Sequence, residues 1–186
     1  IKDSALEGDL PAEFKNENGL IYLLGEDYEE IGGSEYLKLI HNLVTGEIPR
    51  IDLQTEKDLH KLILHLIDNG LINSAHDISD GGIITAIAES CIINPEKSLG
   101  AKVKIPIKTR EDFSFFSESQ SRVIVSVNPE SKEKFEKIIS KSFTPYLLIG
   151  KVEGTSLNVN DRYDFPISQL IDFYYSAIHK RMDIAH

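Results

Sequence analysis

Residues 75–89 read AHDISDGGIITAIAE. A short extended run ends at Asp77, glycines follow at Gly81 and Gly82, and an unbroken apolar stretch starts at Ile83. This pattern predicts a strand over 74–78, a turn, and a helix over 83–93. Glycines at such a turn let the backbone approach a neighbour closely, and the helix start presents N–H groups without intrahelical partners. Asp80, Gly81 and Gly82 therefore suit a phosphate, and Asp77 beside them can hold a hard cation such as Mg²⁺. The same residues also fit a plain capped turn, with Asp80 as the N-cap. His76, at the strand end, reads as a structural hydrogen-bonding group.

Strands and helices alternate on both sides of this unit. Upstream, GLIYLLG (19–25) is a short apolar run between glycines and reads as a buried strand. An acidic loop then leads to IGGSEYL (31–37), where Gly32 and Gly33 precede Ser34. Ser34 is an expected N-cap for a helix over 35–44, with Leu37, Ile40 and Val44 on one face. The Gly32-Gly33-Ser34 turn is a second candidate anion site, and equally an ordinary capped start. Thr55 opens the next expected helix, whose apolar stripe is Leu59, Ile63, Leu66 and Ile67 and whose end is marked by Gly70.

Downstream, FFSESQSRVIV (115–125) carries polar groups into a strongly apolar strand over 122–127. Residues 114–122 read as a polar loop. Side chains held at a strand end can point into a cleft. Glu118 can bind a cation, Gln120 can read an amide, and Ser119 and Arg122 can contact a phosphate. The alternative is a solvated loop in which Glu118 and Arg122 pair with each other. Pro129 opens a helix over 130–140, residues 146–152 and 156–160 read as strands, and Pro166 opens a last helix over 167–180 with Leu170, Ile171, Tyr174 and Ile178 inward. The fold class is α/β (α+β), a layered domain of mixed sheet with packed helices.

The chain has 186 residues, 41% hydrophobic and 27% charged, so it can bury one sizeable core and is not compositionally disordered. Residues 1–18 show no period and read as a linker or entry segment, with residues 19–186 as one domain. The formal net charge of −10 repels nucleic-acid phosphates and anionic lipid surfaces, so neither is an expected partner. Small phosphorylated ligands stay open, because backbone N–H groups and metal ions can hold them locally. The single cysteine, Cys91, permits no internal disulfide and suits a reducing, cytoplasmic setting. No apolar stretch approaches the roughly 20 residues of a membrane span. The chain starts Ile1-Lys2-Asp3 rather than with Met and is read as a piece of something longer. His60 and His65 are spaced wrongly for a helical metal pair, and the lysines of 132–141 interleave with Glu133 and Glu136 as a solvated face. No Walker A, GxGxxG or GxSxG pattern is present.

The order GGSEYL (32–37), AHDISDGG (75–82), SESQSRVIVSV (117–127) resembles the C-terminal domain of phosphoribosylformylglycinamidine synthase, the FGAM synthetase of purine biosynthesis. The resemblance runs from about Leu20 to the final helix. Aminoimidazole ribonucleotide (AIR) synthetase, selenophosphate synthetase, thiamine-phosphate kinase and a hydrogenase-maturation protein share the Asp-Gly-Gly turn. The resemblance implies an ATP-dependent C–N ligase. It would convert formylglycinamide ribonucleotide, ATP and glutamine-derived ammonia into the amidine, ADP and phosphate, with Mg²⁺ as cofactor. It also implies upstream ATP-binding domains of the same enzyme as partners, and a glutaminase domain or subunit. In such an enzyme this domain lines either the working site or an auxiliary ATP or ADP site, and no catalytic residue falls on it. The other branches of the superfamily, or a non-catalytic binding domain, are the alternatives.

Overall fold

The computed structural model describes residues 10–183, with the side chains of 178–183 excepted. Its spine is a seven-stranded sheet. β1 (Leu20–Leu24), β2 (Ser74–Asp77), β3 (Ala101–Val103), β4 (Val123–Val127), β5 (Tyr146–Val152), β6 (Ser156–Val159) and β7 (Tyr163–Pro166) lie in the order β2-β4-β1-β5-β3-β6-β7. Pairing is antiparallel except between β3 and β6, so the sheet is mixed.

Strands β1 and β4 are buried on both faces, which is why they read as continuous apolar runs rather than alternating ones. Their side chains still alternate between two cores. Ile21, Leu23 and Ile124 join α3 (Gly82–Ile92), α4 (Glu111–Phe116) and α6 (Ile167–Asp183) on one face. Tyr22, Leu24, Val125 and Val127 meet α2 (Leu53–Asp68) and α5 (Lys132–Ile139) on the other. Helix α2 contributes Leu59, Leu62 and Leu66, one residue per turn or so along a single stripe. Cys91 sits in the α3 core, and burial pushes its thiol up to about 12. Phe14, in the entry segment, is also buried there, and its N–H donates to Ser90 O.

Several elements differ from the expectation. Helix α1 (Glu35–His41) stops three residues short of Val44, because Asn42 adopts a left-handed conformation and closes it with an N–H bond to Leu37 O. None of its residues is buried, and Ile40 and Val44 face outward. Helix α2 starts at Leu53 rather than Thr55, since Asp52 is the cap and accepts from Thr55 N. Residues 111–116, part of which was expected as loop, form α4, anchored by buried Phe115. Tyr163–Pro166 forms an edge strand, where proline's missing N–H costs nothing. Tyr174, expected inward on α6, is largely exposed, and the side chain of Ile178 lies outside the described residues.

Candidate functional site

The three stretches singled out in the sequence meet at one carboxylate. Glu118 Oε1 accepts the N–H of Glu35, in the first turn of α1, at 3.0 Å, and the N–H of Gly81, in the turn before α3, at 2.8 Å. Both amides belong to the turns in which the sequence pattern suggested a phosphate.

Gly81 has φ +81°, and a Cβ there would lie 2.4 Å from Thr85 Oγ1. Gly82 has φ +71° and faces α4, where a Cβ would lie 2.6 Å from Phe115 O. The double glycine thus turns the chain left-handed and lets α3 start against α4, a packing role independent of any ligand. Asp80 does not cap α3. Gly81 holds that position without a side-chain bond, while Asp80 is exposed. Asp77 is exposed too, with its side chain 78% accessible.

Gly32 is required by another close approach, since a Cβ would lie 2.0 Å from Glu47 O. Gly33 has φ +71° and remains exposed. Ser34 is fully buried. Its Oγ donates to Ile31 O at 2.6 Å and accepts from Leu37 N at 3.3 Å, so it caps α1 as the sequence suggested.

Arg122 and Ser119, the expected phosphate contacts, are both buried. Arg122 is 2% exposed. Its Nε donates to Ser119 O at 2.9 Å, its Nη2 to Ser117 O at 2.7 Å, and its Nη1 lies 3.4 Å from Asp27 Oδ1. Burial draws the guanidinium below its ordinary value, while the charges of Asp27 and Glu30 oppose that shift. Its counter-charge is therefore Asp27 and not Glu118. Ser119 Oγ receives the N–H groups of Tyr28 and Glu30 and lies 3.1 Å from Ser117 Oγ. No local spacing reveals the Asp27–Arg122 pair, because its members come from separate strand ends; the only hint is a run of acids before Gly32 with no matching bases.

Gln120 alone of that loop stays exposed. Its Nε2 donates to Glu118 O, and it lines a cleft of about 620 Å³ with Tyr28, Glu30, Arg50, Asp52 and Thr55. A second cleft, of about 610 Å³, opens beside the α3 turn between Tyr36, Ile84, Phe115, Phe116, Tyr163 and Phe165. Tyr36 stacks on Phe116 with ring centroids 4.7 Å apart, and its hydroxyl donates to Asp112. These aromatics were not singled out as site residues because they lie on separate elements.

Among the described residues no group of three or more His, Cys, Asp or Glu side chains is placed to hold a metal ion. Glu118 Oε1 accepts from two amides, while the Asp77 carboxylate stands exposed.

Comparisons with known proteins agree with this architecture. The chain is 42% identical over 175 residues to phosphoribosylformylglycinamidine synthase subunit PurL of Caldanaerobacter subterraneus subsp. tengcongensis, a match covering 92% of this chain and 24% of the relative. It is 41% identical over 157 residues to the same subunit from Moorella thermoacetica, covering 83% and 21%. The chain thus spans about a quarter of the length of the curated relatives it matches. Among solved structures, T. maritima PurL complexed with ATP superposes with a TM-score of 0.67 at 21% identity, over 87% of this chain and 27% of that one. E. coli HypE, a hydrogenase maturation protein, gives 0.60 at 16% identity, over 88% and 56%. The sequence pattern described as AIR synthase related protein, C-terminal domain, matches residues 16–161, most of the chain. The chain therefore belongs to the AIR synthase related C-terminal domain family.

Proposed function

We propose that this chain is the last α/β domain of a cytoplasmic phosphoribosylformylglycinamidine synthase. That enzyme would use ATP to activate the formyl amide of formylglycinamide ribonucleotide and let glutamine-derived ammonia displace the oxygen. The supporting observation is the 42% identity to a PurL subunit over 92% of the chain, with all three motif stretches gathered at Glu118. Relatives about four times as long supply the remaining domains, and a glutaminase domain or subunit is the expected ammonia source.

Within that enzyme the domain handles nucleotide as ATP or ADP, as the T. maritima PurL complexes do. Its residues position rather than react. The glycine turn fixes the start of α3, Glu118 joins that turn to α1, and Arg122 with Asp27 holds the 117–122 loop rigid. Magnesium would arrive with the nucleotide phosphates. The inward satisfaction of Arg122, Ser119 and Glu118 favours the auxiliary rather than the working site.

The test is complementation. The remainder of the native polypeptide is expressed without this chain and assayed for ATP- and ammonia-dependent consumption of formylglycinamide ribonucleotide. Activity that appears only when this chain is added back is the expected outcome. A remainder fully active alone, or inert although both parts are folded and associated, overturns the assignment and returns the other superfamily branches.

A further inference from the structure

We propose that the apolar face spanning α1 and the start of α2 is covered by another part of the native polypeptide, an apolar surface that sends one basic side chain into the cleft beside Glu30 and Asp52. Leu39, Ile40, Val44, Ile48, Ile51 and Leu53 are each more than half exposed, and α1 buries none of its residues. Apolar side chains gathered this densely on one surface mark a contact face. The cleft of about 620 Å³ opens within it, with Ile48 and Ile51 in its wall.

The charges of that cleft are one-sided. Glu30, Glu47 and Asp52 line it against Arg50, which is already paired with Glu47 at 3.3 Å. Among the described residues neither Glu30 nor Asp52 makes an ion pair. Glu30 Oε1 accepts the Arg50 N–H at 2.9 Å, while Glu30 Oε2 is buried with no hydrogen-bond partner among the described residues. A buried carboxylate oxygen left in this way costs free energy that a positive group offsets. Arg122 feels the Glu30 charge, but its N–H groups go to Ser117, Ser119 and Asp27. A lysine or arginine suits the cleft along its whole length, its aliphatic stem against Ile48 and Ile51 and its charged head toward the carboxylates. Tyr28, largely exposed in the same wall, adds an aromatic ring beside the cation. A basic anchor within an apolar surround is how strong protein contacts are built. Charge also argues against a second copy as the cover. Residues 28–58 hold seven Asp or Glu against three Lys or Arg, and the whole chain carries −10, so two such faces repel. The chain spans about a quarter of the length of its PurL relatives, which leaves ample polypeptide to supply the covering surface.

This inference rests on the reading of the chain as one domain of a longer synthase. Its test follows a thiol and not ligase turnover, so the two can fail separately. Ile48→Cys is placed in the native polypeptide and alkylated with iodoacetamide, and the rate is read by mass spectrometry of the peptide carrying that position. An unstructured peptide of the same sequence gives the reference rate. Alkylation should be at least about tenfold slower in the polypeptide, as for a covered site that opens only locally. Glu30→Gln with Asp52→Asn keeps the acceptors for the Arg50 and Thr55 amides and removes both charges. Adding this pair should raise the rate at least about threefold, and so should about 1 M NaCl without it. Where the substituted polypeptide fails to fold, the salt series carries the test. A thiol at position 48 that reacts as fast as the peptide overturns the proposal, because the face is then open. Protection that neither the two substitutions nor salt relieves overturns the basic side chain. Protection that grows with protein concentration overturns the proposal as well, since a second copy is then the cover.

Discussion

Arg122 is the residue on which the polar half of the molecule depends. Its guanidinium is buried, forks onto two carbonyls and faces Asp27. Arg122→Met should cost about 3 kcal/mol in urea denaturation, since it strands a largely buried carboxylate and two carbonyls. Arg122→Lys should recover little, because an ammonium cannot reproduce the fork. Asp77→Asn, by contrast, should stay within about 0.5 kcal/mol of wild type, as its side chain is mostly in water. Asp161 gives a pH signature. Hydrogen bonds from Lys102 and Lys104 lower its carboxyl from 3.8 to about 2. A carboxyl with a depressed folded value contributes stability that is present above 3.8 and lost as pH falls toward 2. Glu29 titrates with the same sign: burial pushes it up, but bonds from Thr109 and Ser114 and the charge of Lys108 bring it below its ordinary value. Acid unfolding followed between pH 4 and 2 should therefore begin earlier in wild type than in Asp161→Asn measured relative to its own neutral-pH stability.

Among the elements, α1 and α3 form a contrast that hydrogen exchange can read. Helix α3 buries Ile83, Ala86, Ile87 and Cys91, whereas α1 buries nothing and is held by Glu118, its Ser34 cap and the Tyr36–Phe116 stack. The amides of α1 should exchange well before those of α3. Gly82→Ala should destabilise by more than about 1 kcal/mol, because it meets both a positive φ and the α4 backbone. Elements bounded by glycine or proline and carrying a full apolar run, such as β1, β4 and α2, were legible in the sequence. Those that failed were short or misleading. Helix α4 spans less than two turns, so no period develops, and β7 hides in a polar stretch at the sheet edge. The spacing of Leu37, Ile40 and Val44 continues past Asn42, a stop that only backbone geometry reveals. In the site, the three polar stretches were legible as belonging together. Which side chains look inward was not, since Asp27, which faces Arg122, and Tyr28, which donates to Ser119, lie about 90 residues away in the chain.

At the scale of the whole molecule, two cores flank the sheet, yet much apolar surface remains uncovered. Leu39, Ile40, Leu43, Val44, Ile48, Ile51 and Leu53 are all exposed within one short stretch. Monomeric proteins rarely leave such a patch open. The chain by itself should therefore bind an apolar dye such as ANS while folded, and Leu39→Lys with Val44→Glu should reduce that signal without lowering stability, since neither residue packs against a core. Among the described residues no helix is long and apolar enough to cross a membrane. The solitary thiol of Cys91, closed inside the α3 core and held protonated by its surroundings, makes the molecule its own stopwatch. Iodoacetamide can mark it only during moments when that core parts. A single added mass per chain, timed against denaturant, would count those openings one molecule at a time.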